Sequence, residues 1–380
     1  MSDTRKTTKP NVPNLRFPGF SGEWELKRID EISPLQRGFD LPSQSLQVGS
    51  VPVVYSNGIM NYHNESKCVA PGIVTGRSGT IGRLTYIESG PYWPHNTSLW
   101  VTDFKGNIPL FVYYLLEHID LSRFSSGSGV PTLNRNDVHA FKTCIPSVEE
   151  QHKIADCLSI IDKRISIQNK VIEKYESLIK ALTDKIVDDL LKGRMVPFNQ
   201  MYIQAGEGGT PSTSVGQYYL NGTIPFVKID DLSSKYLVKN KDFINDLGLS
   251  KSSAWLIPSN SVIYSNGATI GAISINTYPV STKQGILGVV PAADVNTEYL
   301  YYLMCSRYFS EQVQRIIAEG TMKTAYLKDM NKIQCPLPSL REQKRIVAGL
   351  SALSSKLESE LAALLSYESI KRYLLINLFI

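Results

Sequence analysis

Two stretches of this chain repeat apolar residues at alternating intervals of four and three. In the first, Ile154, Leu158, Ile161, Ile165, Ile172, Tyr175, Ile179, Leu182 and Ile186 recur, interrupted once at Gln168. In the second, Ile346, Leu350, Leu353, Leu357, Leu364, Tyr367, Leu374 and Leu378 recur, interrupted at Glu360 and Lys371. Such spacing draws an apolar seam along one side of a helix. Each stretch predicts a helix of roughly 35 residues, roughly 50 Å long. Both open in the same way, as "IPSVEEQHKIADCLSII" (145–161) and "LPSLREQKRIVAGLSAL" (337–353). Ser147 and Ser339 stand where an N-cap is needed, and Glu150 and Glu342 stand at the capping-box position. Aligned without gaps, 145–187 and 337–379 share 11 of 43 residues. A repeat 192 residues apart means that about half the chain is duplicated.

The economical way to bury two such seams is against each other. Gln168 and Glu360 lie near the middles of their helices, so polar positions meet whether the pair is parallel or antiparallel. The seams alone do not set the direction.

The segments before each helix read as short Val-, Ile- and Tyr-rich strands broken by Gly, Asn and Pro. They match one another loosely. "GSVPVV" (49–54) pairs with "GTIPFV" (222–227), and "RSGTIGRLTYI" (77–87) with "SNGATIGAISI" (265–275). "PHNTSLWVT" (94–102) pairs with "STKQGILGV" (281–289), and "FVYYLLEHI" (111–119) with "YLYYLMCSR" (299–307). The expected order is a globular part over 1–144, a helix over 145–193, a second globular part over 194–336 and a second helix over 337–380.

At 42% hydrophobic and 20% charged residues the chain is globular, and 380 residues exceed a usual single core. The start, "MSDTRKTTKPN", lacks the apolar run of a signal peptide, and no apolar run approaches the ~20 residues of a membrane span. Five scattered cysteines without a CxxC pair fit a reducing, cytoplasmic setting. The net charge of +5 is spread along the chain, so a nucleic-acid partner is permitted but not demanded.

Catalytic signatures are missing from the sequence. There is no Asn/Asp-Pro-Pro-aromatic loop, HExxH or GxSxG. "GIVTGRSGT" has Arg77 where a phosphate loop needs Lys. The five histidines show no ligand spacing, and Asp230-Asp231 reads as a turn. These readings predict no catalytic, cofactor or metal site in the chain.

A variable globular part, then Pro-Ser-x-x-Glu-Gln opening a long helix, then both again, resembles the specificity (S) subunit of type I restriction–modification enzymes. "LRFPGFSGEWELKRIDEI" (15–32) and "GGTPSTS" (208–214) followed by "GTIPFVKIDDL" (222–232) are similar to openings found in that family. The first part departs from the pattern, with "QRGFDLPSQS" where the second has "GGTPSTS". The resemblance implies an α+β chain with a pseudo-twofold internal repeat. Two related α/β target-recognition domains are then separated by two long helices packed as an antiparallel coiled coil. It further implies double-stranded DNA as ligand, each domain reading one half of a bipartite, asymmetric site. The expected partners are two modification (methyltransferase) subunits and restriction/translocase subunits. S-adenosylmethionine, ATP and Mg2+ are expected on those partners, not on this chain. The alternative is a non-catalytic coiled-coil scaffold that binds proteins and has no DNA specificity.

Phosphate contacts call for Lys, Arg, hydroxyls or bare amides, and base edges for Arg, Lys, Asn and Gln. The candidates in the first part are Arg77 and Ser78 in the Gly-rich turn, then Asn96 and Thr97. Arg123, Ser126, Ser128, Asn134 and Arg135 follow, around "RFSSGSGVPTLNRND". In the second part they are Ser265, Asn266 and Thr269, then Lys283 and Gln284, then Lys323 and Thr324. Trp93, Trp100 and Trp255 read as core residues.

Overall fold

The computed structural model describes residues 11–126, 131–267, 269–319 and 324–380. The chain divides into two compact units, 1–169 with 362–380, and 170–361. The predicted helices are present and longer than expected, Val148–Leu190 and Leu340–Asn377. Every seam position named above is buried or half-buried. Ser147 Oγ accepts from the Glu150 N–H at 3.4 Å, and Ser339 Oγ from the Glu342 N–H at 3.3 Å, so both serine caps form; the glutamates do not return the bond of a capping box, and turn to Arg16 and Arg345 instead.

Each unit contains half of each helix, and within each unit those halves run antiparallel. In the first unit the start of the central helix meets the end of the C-terminal one. Ile154 and Leu158 share a core with Leu378 and Phe379, and Lys371 pairs with Asp162 at 2.9 Å. In the second unit the end of the central helix meets the start of the other, with Leu182 and Ile186 beside Ile346 and Leu350.

The strands repeat in the same order. In the first unit the order is Leu35–Arg37, Ser98–Val101, Gly72–Gly76, Leu84–Ile87, with antiparallel neighbours. In the second it is Tyr202–Glu207, Ile286–Pro291, Val262–Ser265, Ile273–Asn276, again antiparallel, with Tyr236–Leu237 added at the edge. A parallel pair stands beside each sheet, Val51–Tyr55 with Pro91–Pro94 and Ile224–Val227 with Ser281–Thr282. This is the α+β, internally repeated architecture that the sequence predicts.

The Gln of the repeated Glu-Gln fixes each long helix to its own unit. Gln151 is 1% exposed; its Oε1 accepts from the Ile108 N–H at 3.0 Å and its Nε2 donates to Asn107 Oδ1 at 2.9 Å. Gln343 is 0% exposed; its Oε1 accepts from the Asn296 N–H at 2.8 Å and its Nε2 donates to the Asp294 carbonyl at 2.9 Å. Both therefore satisfy backbone at the start of the preceding short helix, Pro109–Ile119 or Thr297–Cys305. About three turns further along the long helix, a tyrosine of that short helix reaches it. Tyr114 donates to Asp162 at 2.8 Å, and Tyr302 lies 2.9 Å from Ser354 Oγ.

The tryptophans behave as core, with Trp93 5% exposed and Trp100 and Trp255 packed against apolar clusters. Asp231 accepts from the Lys228 N–H at 2.9 Å, so Asp230-Asp231 lies in the expected turn. All five cysteines are free. Among the described residues, no helix is long and apolar enough to cross a membrane.

Candidate nucleic-acid interface

In each unit, loops far apart in sequence converge at one end of the main sheet, and the backbone hydrogen bonds that hold them repeat. In the first unit the Gly38 N–H donates to the Ser98 carbonyl and the Phe39 N–H to the Pro94 carbonyl, at 3.0 and 2.8 Å. In the second, Gly208 donates to Ile286 and Gly209 to Thr282, at 2.9 and 3.1 Å. The N–H groups of Arg77 and Ser78 share the Thr97 carbonyl; those of Asn266 and Gly267 share the Gly285 carbonyl. The Leu133 N–H closes on Arg77 at 2.8 Å, and the Ala325 N–H on Asn266 at 3.0 Å.

A Cβ on Gly38 would lie 2.2 Å from the His95 carbonyl oxygen, and one on Gly208 2.1 Å from that of Thr282. Only glycine lets these strands' ends press on the neighbouring loop. The repeated bonds also fix the register. Arg77 corresponds to Asn266, not to Ser265, and Asn96 to Gln284. The sequence alignment of these two loops is therefore off by one residue.

The side chains on this common frame differ. In the first unit Arg77, Asn134 and Arg135 line one cleft of about 450 Å3. Arg37, which sequence reasoning missed, lines it as well. Arg37 donates to Asp40 Oδ1 at 3.0 Å, and the Asn96 side-chain amide donates to the same oxygen. Asp40 thus orients two donors. Asn134 also caps the following turn, its Oδ1 accepting from the Asn136 N–H at 3.0 Å. Ser78 pairs with Thr132 through an isolated bridge. Thr97 Oγ1 lies 3.0 Å from His95 Nδ1. Burial holds that imidazole below its ordinary value and thus neutral. Ser126 is exposed on the short strand paired with Thr132–Leu133. Arg123 sits away from the cleft, its guanidinium over Phe141 and Phe124 at 5.0 and 5.5 Å. Ser128 lies outside the described residues.

In the second unit Lys283 and Gln284 are exposed on the loop beside Gly285, and Thr269 is exposed on its neighbour. The Gln284 N–H donates to Thr210 Oγ1 at 3.3 Å, which brings the "GGTPSTS" loop to the same place. Ser265 and Asn266 differ from the expectation. Both are 0% exposed, and Asn266 Nδ2 donates to the Ala325 carbonyl at 3.0 Å. They brace the frame from inside and have no surface to offer a duplex. Ser265 ends the strand Val262–Ser265, all four residues of which are buried, and Asn266 follows it, packed against Ala325. Thr324 is half-buried beside Ala325, and Lys323 lies outside the described residues.

The structure brings the predicted loops together, while not every predicted residue reaches their surface. Arg37, Asp40 and Thr210 were missed. The one available signal was the departure of "QRGFDLPSQS" from "GGTPSTS", which covers all three.

Comparison with known proteins agrees with this internal repeat. A 156-residue stretch is 28% identical to the type I restriction enzyme MjaIX specificity subunit of Methanocaldococcus jannaschii, covering 40% of this chain and 36% of that protein. A 209-residue stretch is 23% identical to the type I restriction enzyme EcoR124I/EcoR124II specificity subunit of Escherichia coli, covering 49% and 51%. The matches thus span between about a third and a half of these relatives. The fold is similar to that of the S subunit of a type I restriction–modification system from M. genitalium, with a TM-score of 0.64 at 16% identity over 97% of this chain and 99% of that one. The family described as type I restriction modification DNA specificity domain matches twice, over residues 21–177 and 203–366. With most of its length inside those two matches, the chain belongs to that family.

Proposed function

We propose that this chain is the DNA-reading, non-catalytic subunit of a type I restriction–modification enzyme. Each globular part reads one half of a bipartite, asymmetric duplex site. The observation that carries this reading is the repeated loop frame with unlike side chains upon it, among them Asn96 against Gln284 and Asp40 against Thr210. Identical readers related by twofold symmetry suit a palindrome, whereas related but unlike readers suit two different half-sites.

On this reading the paired long helices set the spacing of the half-sites and receive two modification subunits, with restriction/translocase subunits joining that core. S-adenosylmethionine, ATP and Mg2+ serve those partners. Apolar side chains left open on both helices support partner docking. Ile160, Ile167 and Leu178 on one, and Leu365, Tyr373 and Ile376 on the other, are 44–65% exposed.

The test is a domain exchange. Replacing residues 15–140 with a relative's domain, in complex with modification subunits, should change one half of the methylated sequence and leave the other intact. A change in both halves together would refute separate readers. Methyl transfer by the purified chain alone, with S-adenosylmethionine supplied, would refute the non-catalytic reading.

A further inference from the structure

The two loop frames are alike in backbone and unlike in charge. Three arginines, Arg37, Arg77 and Arg135, are among the residues that line the cleft of the first unit. Arg37 already donates to a carboxylate, Asp40, whose Oδ1 it shares with Asn96. Among the described residues, Arg77 and Arg135 meet no carboxylate within ion-pair reach. The corresponding positions of the second unit carry no cation. Arg37 is replaced by Glu207, whose carboxylate accepts from the Gly285 N–H at 2.7 Å, and Arg77 by the buried Asn266. Arg135 begins the short helix after its loop, as Leu327 does in the second unit.

Shape separates phosphate from base as the ligand of such a cleft. Base edges lie on the floor of a groove and are reached by a projecting helix, strand or loop. Phosphates stand on the ridges of the duplex and can enter a concavity. The arginines line a concavity, whereas Lys283 and Gln284 of the second unit sit on an exposed loop.

We propose that the Arg37, Arg77 and Arg135 cleft is the main phosphate-anchoring site of the protein, so that the first unit supplies most of the salt-sensitive affinity for DNA. The second unit, without a cation at the corresponding positions, contributes the smaller share. This rests on the DNA-reading function proposed above, and deepens it by dividing the work unequally between the units.

The experiment measures binding of the full chain, assembled with modification subunits, to its mapped duplex and to an unrelated one between 50 and 200 mM salt. Each phosphate contact adds about 0.9 to the slope of log affinity against log salt, so three contacts account for about a 40-fold loss over that range. The triple variant R37Q/R77Q/R135Q should lose that part of the salt dependence on both duplexes, with their affinity ratio unchanged. The triple lysine variant should keep it, because it keeps the charge. K283Q should lower the slope by no more than one contact. An unaltered slope in the glutamine variant would overturn the proposal. So would loss of discrimination in the lysine variant at particular bases of one half-site, which would make the arginines base readers. Absence of sequence-selective binding by the unsubstituted protein would instead refute the function on which the proposal rests.

Discussion

Gln343 accepts a hydrogen bond from the backbone N–H of Asn296 at 2.8 Å, joining the first turn of a long helix to the N-cap of the short helix before it. Gln151 makes the same joint with Ile108 in the other unit. The repeated Pro-Ser-x-x-Glu-Gln is therefore a hinge plate as well as a helix start: Ser caps the helix and Gln bolts it to its domain. Burial makes the joint expensive to lose. In Gln343→Ala the Asn296 N–H and the Asp294 carbonyl would lose a partner inside the protein. A cost of about 3 kcal/mol is expected, from about 1–3 kcal/mol for each unsatisfied group. The urea midpoint should fall accordingly, and Gln151→Ala should behave alike. A change within 0.5 kcal/mol of zero, as for an ordinary surface substitution, would contradict the role given to these residues.

The neighbouring glutamates share a sequence position but not a role. Glu150 is 2% exposed and accepts two 2.8 Å bonds from Arg16, while Glu342 is half-exposed and lies 3.9 Å from Arg345. Glu150→Gln should cost about 2–3 kcal/mol. That is below the usual loss for a fully buried pair because Arg16 keeps 15% of its surface. Glu342→Gln should stay within about 0.5 kcal/mol. Thermal unfolding of the two variants side by side decides the matter, and equal effects would count against it.

His139 ties stability to pH. Its Nε2 accepts from the Leu35 N–H at 2.8 Å, which requires the neutral ring. Burial holds His139, and likewise His95 and His118, below the ordinary value. Such a group takes its proton first in the unfolded chain. Its contribution is complete above the unfolded value near ~6.5 and is lost as pH falls from there toward the folded one. Tm should therefore drop between pH 7 and pH 5.5. His139→Gln, which still offers an acceptor, should remove part of that drop. An identical pH profile in the variant would exclude His139 as a contributor.

Helix length should translate into half-site spacing. Duplicating "LIKA" (178–181) lengthens the central helix by ~6 Å, roughly two base pairs at ~3.4 Å each. The rotations match only in part, since four residues overshoot one helical turn by ~40°. Two base pairs turn the duplex by ~70° at ~10.5 per turn. Genome-wide mapping of methylation by the variant should show a spacer one or two base pairs longer with both half-sites unchanged, or no assembly. An active variant that keeps the original spacer would show that the helices dock partners without acting as the ruler.

The duplication, both long helices, their serine caps and their seams were legible in the sequence, because helical periodicity and capping are local: each depends on residues within a few positions of one another. The common strand order followed from the same repeat. What the tertiary structure alone decided is the make-up of the candidate interface. Arg37 meets Arg77 and Arg135 only because a sheet brings residues 40 to 98 positions apart to one end. Ser265 and Asn266 read like exposed loop residues in sequence, yet both are buried: Ser265 ends a strand whose four residues are all buried, and Asn266 donates to the Ala325 carbonyl, 59 residues away. Likewise Glu150 and Glu342 are alike in sequence, and only Arg16, 134 residues away from Glu150, makes one of them a buried partner.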